Sequence, residues 1–292
     1  MQTAIADIQK KHAGQIDHLD LELLIAHILK KPREFVLAHP EYEMSPLKIE
    51  NLKLKIAQRM RGEPLAYILG YKEFFGLPFL VSPATLIPRP ETELLVEMAL
   101  DEVRSHQSSI KNIIDIGTGS GNIIISIAKA IENFKFQISN FKFYGIDLSK
   151  DALTIARRNA KKNNVDKKIK FIHGNLLTPI VENRELEIEN SKMIILANLP
   201  YLSREIYNAT DKTVKKYEPK SALYSPQEGL RHYGELLKQI ANLNPTNCIA
   251  LLEISPEQKV KILSLIKKHF PASEIECKKD LASKWRLVII RL

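Results

Sequence analysis

The chain has 292 residues, 45% of them hydrophobic, and its 43 basic and 34 acidic side chains give a net charge of +9. The length suits a domain of about 200 residues plus a smaller one. No apolar stretch approaches the ~20 residues of a membrane span, and the polar start Met1-Gln2-Thr3-Ala4 lacks the form of a signal peptide, so a soluble, cytoplasmic protein without membrane attachment is expected. Cys248 and Cys277 sit in apolar runs and read as buried free thiols, and no His/Cys spacing suggests a metal.

In chain order, the first 70 residues read as a small helical bundle. Leu19, Leu21, Leu23, Leu24, Ile25, Ile28 and Leu29 are expected to give one apolar face after Asp17 and Asp20, which suit a helix start. A second amphipathic stretch runs from Pro46 to Met60, and Gly62-Glu63-Pro64 opens a shorter one. Residues 71–89 follow as a linker, with a β-hairpin turning at Gly76 to Pro78 between Phe74, Phe75, Leu77 and Phe79. From residue 90 to 292 helices and strands alternate, as a parallel sheet with right-handed crossovers requires. Cys248 to Glu253 reads as a strand, Pro256 to His269 as a helix, and Ile275 to Cys277 with Trp285 to Arg291 as a closing hairpin. The polar stretch Leu202 to Glu228 is expected to cover the active site, and residues 134–140 read as an insertion of no assigned role.

Within this second region, Asn112 to Ile116 forms a strand, Gly117-Thr118-Gly119-Ser120-Gly121 a glycine-rich turn, and Asn122 to Ile131 a helix. Glycine takes positive φ without penalty, so such a turn brings backbone close to a ligand. Asp115 stands before the first glycine, where a carboxylate suits a cationic amino-acid tail; it also suits capping of the turn itself. Phe141 to Asp147 is a second strand that ends in an acid able to accept from two ribose hydroxyls, and the same acid also suits a helix start near Ser149. Spacing Gly-x-Gly-x-Gly departs from the dinucleotide-binding Gly-x-Gly-x-x-Gly. Together these features resemble a class I S-adenosylmethionine-dependent methyltransferase. That resemblance implies S-adenosyl-L-methionine as cofactor, held by Asp115, Gly117, Thr118, Gly119, Ser120, Gly121 and Asp147, with Asn175 and Leu176, just after a third strand read from Ile169 to His173, near the adenine.

A further apolar strand, Met193 to Ala197, ends in Asn198-Leu199-Pro200-Tyr201. This turn offers a side-chain amide, a backbone carbonyl and an aromatic ring at one point, a set suited to a planar amino group. Pro200 has a fixed φ and no N–H, which stiffens it. Asn198, Pro200 and Tyr201 are therefore the candidate catalytic residues, with Asn198 also beside the cofactor.

Leu86-Ile87-Pro88-Arg89-Pro90-Glu91-Thr92-Glu93 narrows the reading, along with Gly62-Glu63-Pro64-Leu65-Ala66-Tyr67, Glu73-Phe74-Phe75-Gly76 and Tyr217-Glu218-Pro219. With these segments the chain resembles the peptide chain release factor glutamine methyltransferases from about Asp20 to its end. The resemblance implies a doubly wound, seven-stranded, mostly parallel sheet of the class I methyltransferase fold, with an N-terminal helical domain that recognises the protein substrate. It also implies methylation of the glutamine side-chain amide in the Gly-Gly-Gln tip of class 1 release factors. Arg89, Glu91 and Thr92 are then expected at the substrate entrance beside Asn198, Leu199, Pro200 and Tyr201. A monomer with no stable nucleic-acid partner is expected. The family usually has proline where this chain has Leu199, and Asn-Leu-Pro-Tyr is also common in ribosomal RNA dimethyladenosine transferases. Methylation of adenine amino groups in RNA or DNA, methylation of a ribosomal-protein glutamine, and a non-catalytic assembly module are the rival readings. Scattered lysine pairs such as Lys161-Lys162 and Lys215-Lys216 fit a partner from the translation machinery and an ordinary solvated surface equally well.

Overall fold

The computed structural model describes residues 3–106, 109–134, 141–182, 192–243, 245 and 247–292; apart from Phe134, the expected insertion 134–140 lies outside them. The chain divides into two compact units, one of Met1–Tyr71 with Lys212–Tyr217, the other of Lys72–Asp211 with Glu218–Leu292.

The first unit is helical: α1 (Ile5–His12), α2 (His18–Leu29), α3 (Arg33–Ala38), α4 (Pro46–Met60) and α5 (Leu65–Leu69), with a short ladder between β1 (Thr3–Ala4) and β2 (Glu43–Met44). Asp17 starts α2 by accepting the backbone N–H groups of Leu19 and Asp20, two of the donors that a helix N-terminus leaves unpaired. Leu21, Leu24 and Ile25 from α2 bury against Leu52 and Ile56 from α4, and Arg59 pairs with Asp20 at 2.6 Å across the same two helices. The distant helix Lys212–Tyr217 belongs to this unit, where the Tyr217 hydroxyl donates to the Arg61 carbonyl at 3.2 Å.

The second unit starts with most of the hairpin β3 (Tyr71–Phe74) and β4 (Leu77–Leu80). From Lys72 on, the hairpin is built into this unit. Phe74 and Phe79 are fully buried in its core, and the Asn159 amide bonds both the N–H and the C=O of Leu80. Glu93, at the start of α6 (Glu93–Ser105), accepts the Phe75 N–H at 2.8 Å, so two of the sequence segments singled out above are joined.

Next come β5 (Ile110–Ile116), α7 (Asn122–Asn133), β6 (Lys142–Asp147), α8 (Lys150–Lys162), β7 (Ile169–His173), α9 (Thr178–Glu182) and β8 (Lys192–Ala197). The chain continues through α10 (Arg204–Ala209), α11 (the Lys212–Tyr217 helix of the first unit), α12 (Arg231–Leu243), β9 (Cys248–Glu253), α13 (Lys259–His269), β10 (Glu274–Lys279) and β11 (Trp285–Arg291). The seven sheet strands lie in the order β10-β11-β9-β8-β5-β6-β7, parallel from β9 to β7 and antiparallel at the β11 and β10 edge. Alternate residues serve opposite faces, as the two-residue period of a strand demands. Ile113, Ile194, Ile249 and Ile289 pack towards the hairpin, α6 and α7, while Ile114, Ile195, Ala250 and Ile290 pack towards α12 and α13.

Strand order reverses between β5 and β8, because β6 and β7 extend one way and β8 and β9 the other. At such a point the loops leaving neighbouring strands diverge and open a crevice beyond their carboxyl ends. The register fixes its occupants. Ile116 pairs with Ile146 and Ala197, and Ala197 with Leu252, so Gly117, Asp147, Asn198 and Glu253 leave the sheet side by side.

Candidate active site

A cavity of about 350 Å³ occupies this crevice, and Gly117, Asp147, Asn175, Asn198 and Pro200 are among its lining residues. Gly117 has φ +71°, and a Cβ there would stand 3.1 Å from Leu199 Cδ2. The glycine turn and the Asn-Leu-Pro-Tyr turn are therefore in direct contact, and only glycine allows both the conformation and the approach.

Asp147 holds the rim of the cavity. Its Oδ2 accepts the Gly119 N–H and its Oδ1 the Ser149 N–H, each at 2.8 Å. Each oxygen keeps a further lone pair. Burial pushes the Asp147 pKa up, and these N–H bonds oppose the shift. Ser149 itself caps α8 by accepting the Ala152 N–H. Beneath the turn, Asp115 is fully buried; its Oδ2 accepts the Thr118 hydroxyl at 2.6 Å while Oδ1 has no hydrogen-bond partner among the described residues. Burial lifts its pKa to about 7, against the pull of the Thr118 bond. A buried carboxylate oxygen without a partner is a standing demand for a cation or donor.

Asn198 points its Nδ2 at the Thr92 hydroxyl, 3.1 Å away, which leaves its Oδ1 as the free acceptor. Arg89, in the cavity lining, pairs with the buried Glu218 at 2.5 Å, and Glu218 also accepts the Ile87 N–H at 3.2 Å. The Pro-Arg-Pro-Glu segment is thus strapped to Glu218-Pro219. Pro90 opens a short 3₁₀ turn ahead of α6, where its missing N–H costs nothing.

Comparison with known proteins gives a consistent result over nearly the whole chain. A PrmC N-terminal domain profile matches residues 4–70 and a methyltransferase domain profile matches residues 107–218. Release factor glutamine methyltransferase of Dictyoglomus turgidum is 36% identical over 92% of this chain and 89% of its own length. That of Buchnera aphidicola is 34% identical over 96% of this chain and 95% of its own. The chain belongs to the release factor glutamine methyltransferase family. It is accordingly an S-adenosylmethionine-dependent methyltransferase, as the fold class, the enzyme class and the methyl donor expected from the sequence require. Among solved structures, the hMettl16 catalytic domain in complex with the MAT2A 3′UTR hairpin 6 superposes with a TM-score of 0.57, at 13% identity, over 91% of each chain. At that identity the likeness concerns the fold alone. No helix among the described residues is long and apolar enough to cross a membrane.

For this family member the cavity brings together Arg89, Thr92, Gly117, Thr118, Gly119, Ser120, Asp147, Asn175, Leu176, Asn198, Leu199 and Pro200. Four expected site residues stand elsewhere. Asp115 and Gly121 lie behind the turn, where Asp115 braces Thr118 and Gly121 leads into α7 against Ile125 and Ala156. Glu91 is the exposed middle residue of the 3₁₀ turn. Tyr201 differs most. Instead of covering the cavity, its ring packs against the core cluster around Leu252 and Ile254, and burial pushes its phenol up to about 12. Its carbonyl takes the Gln258 Nε2 at 3.0 Å, so it anchors the turn from behind. Sequence reasoning left two kinds of lining residue unnamed and gave a third only as part of the stretch Leu202 to Glu228 expected to cover the site. Leu148 and Ser149 follow Asp147 directly and were foreseeable as a cavity wall. Pro219, Ser221 and Ala222 come from the polar stretch after the turn and line the same cavity. His232, half-buried and held towards its neutral form by desolvation, had no sequence signal beyond its position at the start of α12.

Proposed function

We propose that this protein transfers a methyl group to the side-chain amide nitrogen of the glutamine in the Gly-Gly-Gln tip of class 1 peptide chain release factors. One observation carries the reading: the Asn198 amide is fixed by its nitrogen to Thr92, with its oxygen left for a substrate N–H, at the wall shared with Gly117 and Asp147. The donor, S-adenosyl-L-methionine, supplies a methyl group made electrophilic by sulfonium. The residues present suit it. Asp147 keeps lone pairs for ribose hydroxyls, Asp115 holds an unpartnered carboxylate oxygen beneath the turn, and Asn175 and Leu176 form the wall for the adenine.

An amide nitrogen is a weak nucleophile because its lone pair is delocalised into the carbonyl. Asn198 Oδ1 and the carbonyl at Pro200 accept its two N–H bonds, which holds the nitrogen in line and stabilises the positive charge that develops on it. Acceptors set in place beforehand act without reorganisation, and alignment lowers the barrier further. His232, kept neutral, is an available acceptor for the proton the amide loses after transfer. Arg89, Glu91 and Thr92 form the entrance, and the helical unit supplies the surface that engages the factor. Action on a translation factor supports a cytoplasmic setting, and the reading is of a monomer that needs no nucleic-acid partner. Radiolabelled methyl transfer to purified release factor, and none to a factor with the tip glutamine replaced or to ribosomal RNA, is the expected result. Label on RNA instead would overturn the substrate.

A further inference from the structure

Glu253 closes β9, an otherwise apolar strand, beside Asn198. It is 2% exposed and outside the cavity lining, and its Oε2 has no hydrogen-bond partner among the described residues. It touches neither the cavity nor the atoms assigned to methyl transfer. Two buried hydroxyls end on this residue. The Tyr233 hydroxyl donates to its backbone carbonyl and, on the other side, accepts the Leu199 N–H at 3.3 Å. The Thr92 hydroxyl hydrogen-bonds its carboxyl and, on the other side, accepts the Asn198 Nδ2 hydrogen at 3.1 Å.

We propose that Glu253 is a positioning residue for the reaction, acting through Thr92 and Tyr233 to fix which end of the Asn198 amide faces the substrate. A hydroxyl has a single proton to donate. An ionised carboxylate only accepts, so the Thr92 proton is drawn to Glu253 and its oxygen is left to accept from Asn198. The Asn198 nitrogen is thereby turned to Thr92 and its oxygen to the substrate. Tyr233 does the same for the backbone: its proton goes to the Glu253 carbonyl, and its oxygen takes the Leu199 N–H. Leu199, unlike a proline, has an N–H to give there, so the Tyr233 bond holds this position of the turn.

A protonated Glu253 would undo the first arm. Its own O–H donates to Thr92, the Thr92 proton swings towards Asn198, and the amide is free to turn its NH₂ to the substrate, where two donors face each other. Burial raises the Glu253 pKa to about 7; Thr92 and Arg286 pull it down and Glu91 pushes it up, while the buried phenols of Tyr201 and Tyr233 stand nearby. The kcat therefore rises with pH through about 7. Asp115 titrates in the same range, but beneath the donor-binding turn, so its effect falls on donor KM and vanishes at saturating donor.

The inference rests on Asn198 as the acceptor of a substrate N–H. The test measures kcat from pH 6 to 8.5 at saturating donor for wild type, Glu253→Gln, Thr92→Val, Thr92→Ser and the Glu253→Gln/Thr92→Val double variant. Calorimetry checks donor affinity, and thermal unfolding checks folding. Loss of a preorganised polar group typically lowers kcat by ~10²–10³, and an amide left free to turn retains part of that, so Thr92→Val falls about tenfold or more and Glu253→Gln, whose amide can turn either end to Thr92, falls less. Their donor affinity stays, their acid limb near pH 7 disappears, and the double variant is no worse than Thr92→Val because the relay is already cut. Thr92→Ser, which keeps the hydroxyl, recovers the wild-type pH profile. Multiplying losses in a folded double variant, or an acid limb that survives in Glu253→Gln, overturns the proposal. If Asn198→Ala is also active, the failure belongs to the reading of Asn198 itself; an inactive Asn198→Ala with wild-type relay variants rejects the relay alone.

Discussion

Asp147→Asn removes one negative charge and almost no volume, yet the structure makes it a severe change. Both carboxylate oxygens accept a backbone N–H at 2.8 Å, one from Gly119 and one from Ser149. An asparagine has one carbonyl oxygen, so its NH₂ must face one of those N–H groups. The variant loses a charge-assisted bond, about 1.5–3 kcal/mol, and sets donor against donor, about 1–3 kcal/mol more. The cost divides between folding and donor binding. In a domain of this size about 1 kcal/mol moves the midpoint by about 2–4 °C, so a fall of roughly 5–10 °C is expected. The apparent Kd for S-adenosylhomocysteine, read by calorimetry, should rise about 10- to 100-fold as the remaining acceptors are lost to ribose. Asp147→Ala, which removes acceptors without adding a donor, should bind as poorly but unfold at a higher temperature than Asp147→Asn. Donor affinity within about threefold of wild type in Asp147→Asn would refute the ribose assignment, and an unchanged midpoint would refute the account of the two N–H bonds.

Gly229 has φ +84°, and a Cβ there would run into the Tyr201 carbonyl oxygen and Gln258 Nε2, so Gly229→Ala should cost about 2–5 kcal/mol of stability by denaturant unfolding and lower kcat by displacing the Asn198–Tyr201 turn; wild-type stability would show that this turn has slack. Asp115 gives a pH test. Its folded pKa of about 7 lies above the ordinary 3.8, so its stabilising contribution is complete below about pH 4 and is lost as pH rises to about 7. By linkage the loss is about 4 kcal/mol at most. The midpoint of Asp115→Asn should therefore gain on wild type between pH 4 and pH 8, and a difference that stays flat with pH would contradict a buried, neutral Asp115.

Much of this architecture was legible because local rules and tertiary packing agree. The strand Ile169 to His173, the helix Pro46 to Met60 and the strand Cys248 to Glu253 have the expected bounds, since apolar period and flanking polar residues point the same way at each. Asp115 braces its turn through Thr118, the alternative use its position allows, whereas Ser149 rather than Asp147 caps α8, and Asp147 keeps a lone pair on each oxygen at the cavity. What stayed hidden depends on register. Nothing local ties Thr92 to Asn198, which are 106 residues apart, or marks Glu253 as more than the last residue of an apolar strand. The only available signal was an acid ending a buried strand next to the switch point. Tyr201 was misplaced for a related reason. Its neighbours along the chain suggest an exposed turn, but the core cluster behind it offers the ring apolar partners, and burial of an aromatic ring stabilises more than a place on an open wall. The helix Lys212–Tyr217 carries no mark of the unit it joins, because the contact that holds it, Tyr217 on the Arg61 carbonyl, spans 156 residues.

The central claim is that Asn198 Oδ1, presented by its bond to Thr92, accepts a substrate amide N–H during methyl transfer. Single-turnover transfer of labelled methyl to release factor, with donor bound beforehand, isolates that step in wild type, Asn198→Ala and Asn198→Asp. Both variants should fold and bind donor within a few-fold of wild type. Asn198→Ala should lose at least ~10²-fold in the transfer rate, the scale of one preorganised polar group. Asn198→Asp keeps an acceptor and should retain more activity than alanine. A transfer rate in Asn198→Ala within a few-fold of wild type, with the label still on the tip glutamine, would contradict the account.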